Sequence, residues 1–268
     1  MQIRDAAADD YESYCQLLPE LQTGDPVPSR EAWIDNVMPG AILVESDGRV
    51  LGGGWARLVG RWGHVVHVMV AREHQGQGVG RRVMDALAEK VRRAGCTSWY
   101  LNVKRDNEVA LRLYSSFGFH VHRETTVLRV SWSVMDSLPR DGEGAATGLA
   151  DPEDDAALEE RWSLLPGSVS AARARGELPV RLDGTLEALA LFSPSFPGAS
   201  FFGVERLTLA RPMLAALQSH APGVERISLT VMEPRLANLL REGGAELRFE
   251  LFQLRGEIPP KSPERPAP

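Results

Sequence analysis

Gln75-Gly76-Gln77-Gly78-Val79-Gly80 lies between the apolar run Val65, Val66, Val68, Val70 and a helix-forming segment from Arg81 to Arg93. The order reads as strand, glycine loop, helix. Glycines at alternate positions let the backbone take positive φ and turn its N–H groups inward, while the helix start adds partial positive charge behind them. A pyrophosphate fits such a turn. Any tight strand-to-helix connection could use the same residues, so the neighbouring sequence decides between the two readings.

A second apolar strand, Ser98 to Val103, leads into Asn107-Glu108-Val109-Ala110-Leu111-Arg112-Leu113-Tyr114-Ser115-Ser116-Phe117-Gly118-Phe119. The glycine loop followed at this distance by Asn-x-x-Ala-x-x-Leu-Tyr-x-x-x-Gly-Phe resembles the acetyl-CoA site of the GNAT N-acetyltransferases. The resemblance covers Met1 to Ser137, about half of the chain.

The resemblance implies a set of roles. The strand before the loop splays from its neighbour, and the main chain of Val68, Met69 and Val70 receives the pantetheine arm of acetyl-CoA. Gln75, Gly76, Gln77, Gly78, Val79, Gly80 and Arg81 hold the pyrophosphate. Asn107 and Ala110 stand beside the pantetheine, although Asn107 also reads as the cap of the following helix. Tyr114 is the general acid for the departing thiolate, or else a packed aromatic with one hydrogen bond. His67 has an ordinary pKa suited to accepting an ammonium proton, directly or through water, with His64, Glu31 and Glu12 as weaker candidates. Trp33 and Trp55 read as core or as an aromatic wall for the acceptor.

Composition bounds the remaining classes. With 268 residues, the chain can bury two cores of ordinary size. Five of the six net negative charges fall after Asp136, a balance opposite to that of a protein living on phosphate contacts, so a nucleic-acid partner is not expected. Cys15 and Cys96 lack metal-ligand spacing and read as buried free thiols; no metal is expected. No charged-then-apolar leader and no apolar run near the roughly 18 residues of a membrane span is read, which places the protein in the cytoplasm without a membrane partner. A homodimer stays open.

Along the first half, Gln2 to Arg4 begins as strand, and Asp9-Asp10 starts a helix over Tyr11, Tyr14, Cys15, Leu17 and Leu18. Ser29 caps a second helix over Trp33, Ile34 and Val37. Asp47-Gly48 joins a hairpin, Arg61-Trp62-Gly63 makes the next turn, and His64 to Val70 forms a third antiparallel strand. Simple alternation puts His64 and His67 on opposite faces of that strand. Val79, Val83, Leu87 and Val91 give the next helix one apolar stripe, and Val109, Leu113 and Phe117 give another. His122 to Val130 is expected to close this first sheet.

The second half repeats the order in weaker form. Leu17-Leu18-Pro19 recurs as Leu164-Leu165-Pro166, Asp47-Gly48 as Asp183-Gly184, Val68 to Ala71 as Leu207 to Ala210, Trp99 to Val103 as Ile227 to Val231, and Gly118 as Gly244. On this alignment nine residues are missing where the glycine loop stands, and Leu240 takes the place of Tyr114. The expected organisation is α+β: an acetyl-CoA-binding domain over 1–138, a degenerate GNAT-like domain over 145–256 and a disordered proline-rich tail over 257–268, each domain a mixed, mostly antiparallel sheet flanked by helices. Mycothiol synthases resemble this tandem plan, but with the second copy active. The expected activity is acetyl transfer to a small-molecule or peptide amine by direct attack; a non-catalytic CoA-binding or scaffold module is the alternative, and a longer acyl chain is a third possibility.

Overall fold

The computed structural model describes residues 1–24, 26–140 and 146–259, which divide into two units. Unit 1 comprises residues 1–102, 107–120 and those from Leu254 onward; unit 2 comprises 103–106 and 121–253.

In unit 1 the turn chemistry sets the first sheet. Asp47 (φ 54°) and Gly48 (φ 73°) both take the left-handed region that a two-residue hairpin needs, joining β2 (Ala41–Ser46) to β3 (Arg49–Val59). β1 (Gln2–Asp5) pairs antiparallel with β2, and β3 with β4 (Trp62–Val70). β5 (Ser98–Lys104) and the end of β12 (Glu246–Glu257) complete the order β1-β2-β3-β4-β5-β12. One face carries α1 (Tyr11–Leu17) and the segment that begins with α2 (Arg30–Ala32) and continues as a π-helical turn through Val37. Tyr14, Leu17, Trp33, Val37, Leu43 and Met69 form the core beneath them.

The other face carries α3 (Val79–Arg93) and α4 (Glu108–Ser115). Their seat depends on Gly52 and Gly54. A Cβ on Gly52 would stand 2.9 Å from Val79 Cγ1, and one on Gly54 2.6 Å from Val83 Cγ1, so only bare backbone admits the helix this close. Val83, Leu87 and Val91 are buried as the four-residue repeat predicts, but Val109 is 72% exposed and does not join Phe117 in the core.

Unit 2 contains β6 (His120–Ser131, from Val121 onward), β7 (Thr147–Leu149), β8 (Leu178–Leu182), β9 (Ala188–Ser193), β10 (Gly198–Val204), β11 (Arg226–Val231) and the first part of β12. Its helices are α5 (Asp155–Arg161), α6 (Ser168–Ala174), α7 (Ala210–Ser219) and α8 (Pro234–Glu242). Expectation and structure part here: β6 does not close the first sheet but runs antiparallel to β11, from Arg226↔Ser131 to Val231↔Thr126. The place beside β5 in unit 1 is taken by the end of β12, where Ile258 N–H also donates to the Thr97 carbonyl at 2.9 Å. Strand pairing fixes only that some apolar strand fills each position, and local sequence does not say which.

The repeat is real, with a different alignment. Leu207–Leu209 is a 3₁₀ turn rather than a strand, so the partner of β4 is β10. The connection to the following helix is five residues, 205–209, against eight, 71–78, in unit 1; the shortening is three residues rather than nine. Residues 141–145, at the boundary between the two expected domains, and 260–268 of the expected tail lie outside the described residues, while Glu257 belongs to β12. No helix among the described residues is long and apolar enough to cross a membrane.

Candidate active site

The site is built on the end of β4. In parallel register Trp62 pairs with Ser98, Gly63 with Trp99 and His64 with Tyr100, and there the pairing of β4 with β5 stops. A β-bulge follows at once: Trp55 pairs with His67 and Ala56 with Val65, leaving Val66 as the extra residue. Bulges bend a strand and raise its twist, which accounts for the divergence of β4 from β5.

The main chain beyond the bulge is directed by register. Ala71 N–H donates to the Leu51 carbonyl directly opposite at 2.9 Å, so alternate residues Met69 and His67 also turn their amides toward β3. Val68 and Val70 therefore turn theirs toward the open side. Met69 differs from the expected arrangement: its backbone belongs to the β3 ladder and its side chain to the α1-side core.

The glycine loop continues from this strand. Gly76 (φ 75°) and Gly78 (φ 82°) are left-handed, and nothing lies within 4 Å of where a Cβ would stand on either. The first hydrogen bond of α3 is Arg82 N–H to the Gly78 carbonyl at 3.2 Å. The preceding amides, from Gly76 to Arg81, have no protein acceptor among the described hydrogen bonds and form a row at a helix start. The Gln75 side chain donates to the Val70 carbonyl at 3.2 Å and the Gln77 side chain to the Glu73 carbonyl at 2.9 Å, pinning the loop without using its amides. A diphosphate is chemically suited to this row, and the bare positions at Gly76 and Gly78 leave it accessible.

α4 closes on the same loop. Leu113 Cδ2 would lie 3.3 Å from a Cβ on Gly80, and Arg81 donates to Ser116 Oγ at 3.0 Å while its guanidinium sits 5.3 Å from the Phe117 ring centre. Asn107 Oδ1 accepts from Ala110 N–H at 3.0 Å, which makes it the helix cap. Tyr114, next to Leu113, is 8% exposed and packs edge-on against Phe119. Burial pushes its phenol above the ordinary range, so it holds its proton at any working pH.

The histidines depart from simple alternation. His67 is opposite Trp55 and His64 opposite Arg57, and Trp55 and Arg57 share a face, so both histidines point to the α1 side. The bulge absorbs one residue between them and cancels the expected opposition. His67 Nδ1 lies 2.7 Å from the hydroxyl of Tyr14, a fully buried residue whose ring packs tilted against Trp33 with 4.6 Å between ring centres. Trp55 is edge-on to His67 at 5.3 Å, so Trp33 is core and Trp55 stands at the border of the site. Burial pushes the Tyr14 phenol upward also, keeping it neutral. Sequence reading missed Tyr14, whose apolar helical spacing marks it as core, and the Gly52-Gly53-Gly54 run, whose presence inside a strand was the available signal. Glu12 is committed to an exposed ion pair with Arg30 at 3.0 Å.

Residues 2–119 match the acetyltransferase (GNAT) family. Over 66 residues the chain is 32% identical to the uncharacterized N-acetyltransferase YobR of Bacillus subtilis (strain 168), covering 25% of this chain and 27% of that relative. A GCN5-related N-acetyltransferase from Sphaerobacter thermophilus superposes with a TM-score of 0.64 at 20% identity, over 97% of this chain and 96% of that one. A tandem GNAT protein from the clavulanic acid biosynthesis pathway gives 0.61 at 16% identity, over 97% and 99% of the respective chains. The two structural likenesses establish a shared fold extending through both halves.

Proposed function

We propose, from the premise that residues 2–119 belong to the acetyltransferase (GNAT) family, that this protein transfers an acetyl group from acetyl-CoA to a primary amine, with the chemistry in unit 1. The observation that carries the reading is the open edge of β4 past His64, continuous with the row of unpaired amides from Gly76 to Arg81. The amides from Gly76 to Arg81 would hold the pyrophosphate, and the Val68 and Val70 main chain would hold the pantetheine arm in the manner of an added strand. The thioester supplies an acyl carbon activated for direct attack.

The side chains then divide the proton work. His67, whose Nδ1 meets the Tyr14 hydroxyl at 2.7 Å, takes the ammonium proton, directly or through water. Tyr14 is a positioning residue that fixes the orientation of this imidazole. Tyr114 gives its proton to the departing sulfur, and a main-chain N–H of the open β4 edge steadies the developing oxyanion. The amine is an amino acid, a polyamine, an aminoglycoside or a peptide N-terminus.

The test is thioester cleavage measured against a panel of those amines, with calorimetry of CoA in parallel. Turnover with at least one amine is expected. Binding of CoA with no turnover across the panel would replace the enzyme by a non-catalytic CoA-binding module, and absence of binding would remove both readings.

A further inference from the structure

His64 and Tyr100 are the last residues that β4 and β5 share before they part, and their rings stack face to face, 4.2 Å between centres and 9° between planes. Both residues are 9% exposed. Arg57 Nε donates to His64 Nδ1 at 3.2 Å, which sets the rotation of the imidazole. The stack is thus held from two directions, at the narrow end of the wedge.

A linear ligand anchored at Gly76–Arg81 and laid along Val70 and Val68 points its far end toward this narrow end, because the loop follows the opposite end of β4. Toward the α3 and α4 side the way is filled: Val65, Trp99 and Leu101 are buried, and Trp99 stacks on Phe119 at 4.6 Å. A group emerging from the wedge toward the α1 side meets the face that carries the paired rings of His64 and Tyr100.

We propose that the His64–Tyr100 stack is the stop that limits the acyl group to short chains, making unit 1 selective for acetyl over medium-chain acyl thioesters. The proposal rests on the reading of unit 1 as the acyl-CoA site and names the feature that sets chain length there. Removing either ring takes away half of the stack and makes room for added methylenes at the narrow end of the wedge. Each methylene newly accommodated is worth roughly fourfold in affinity.

The experiment is calorimetry of the full chain with CoA, acetyl-CoA, butanoyl-CoA and octanoyl-CoA, for the wild type and for Tyr100→Ala and His64→Ala, with thermal melts to confirm folding. The wild type should bind CoA and acetyl-CoA similarly and octanoyl-CoA at least roughly tenfold more weakly, and either variant should shrink that gap by roughly tenfold or more. A wild type whose affinity is unchanged or rises from acetyl to octanoyl overturns the proposal without need of any variant. A folded variant that keeps the wild-type ladder also overturns it. Because the readout is binding, an enzyme that fails to turn over any amine still reports on the stop, whereas a chain that binds none of the four ligands sinks the underlying site as well.

Discussion

Units 1 and 2 follow one chain path and end in different states. Each runs strand, two helices, hairpin, strand, helix, strand, helix in the same order, and each closes its last helix in the same way: Phe119 N–H on the Tyr114 carbonyl at 3.2 Å, Ala245 N–H on the Leu240 carbonyl at 2.9 Å. Both also carry a bulge in the strand before the central helix, at Val66 and at Ser200. In unit 1 that strand loses its parallel partner after three residues, whereas in unit 2 β10 stays with β11 to Phe202↔Val231, the last residue of β11. The connection after β10 has no glycine, and a fully buried Leu240 stands where unit 1 has Tyr114. What separates them is therefore unpaired backbone and one hydroxyl, set on a common frame.

The largest effect should come from cutting the frame. Ending the chain after Leu138 would keep every motif of the first half but remove the β12 residues that lie beside β5, leaving that edge unpaired. The truncated protein should show no cooperative melt and no CoA binding, whereas a soluble fragment that binds CoA like the full chain would mean the end of β12 is dispensable.

Next is the hydroxyl. Tyr114→Phe should lower kcat by roughly a hundredfold with little change in KM, within the usual range for lost general-acid help, and Leu240→Tyr should restore nothing. Since the phenol must be protonated to act and burial raises its pKa, the alkaline loss of activity due to Tyr114 belongs above the ordinary phenol value of about 10. Wild-type rate should accordingly hold between about pH 8 and 10 as far as this group is concerned. A fall in kcat over that interval that disappears in Tyr114→Phe would contradict the assignment.

The loop comes third. Gly78→Val forces a β-branched residue into φ 82° and puts a side chain over the amide row. KM for the thioester should rise roughly tenfold or more while kcat at saturation changes less. An equal fall in kcat with KM unchanged would move the loop from binding to chemistry.

These targets differ in how far the sequence reveals them. Gly76, Gly78 and the Asp47-Gly48 hairpin are legible because positive φ is a local demand met by few residues, and the Asn107 cap is legible because its partner is three residues away. The two histidines were misread because a bulge is specified by the register of β3 against β4, not by any residue near Val66. The destination of β6 was misread for a related reason, since an apolar strand of that length suits either sheet. Tyr14 is silent in sequence, because its partner His67 is 53 residues away and only tertiary packing brings the two together.

The smallest effect tests the frame by itself. Both units tie an acidic helix start to an arginine: Arg4 grips both carboxylate oxygens of Asp10 at 2.6 and 2.8 Å in unit 1, and Arg181 reaches Asp154 at 2.8 Å in unit 2. The Arg4 hydrogen bonds, opposed by burial and helped by the Ala7 amide, hold the Asp10 carboxyl below its ordinary value. A depressed folded value means that the stabilisation is complete above the unfolded value of about 3.9 and is lost as pH falls through the folded one. Asp10→Asn should thus cost about 1 kcal/mol at neutral pH, the usual net worth of such a hydrogen bond, with the difference from wild type constant from about pH 8 to 5 and shrinking below about 4. KM and kcat should stay at wild-type values, because the pair lies on the shared frame and not on the open edge of β4. A change in KM as large as that of Gly78→Val would mean that the helix start also shapes the site, and the separation of frame from machinery in unit 1 would fail.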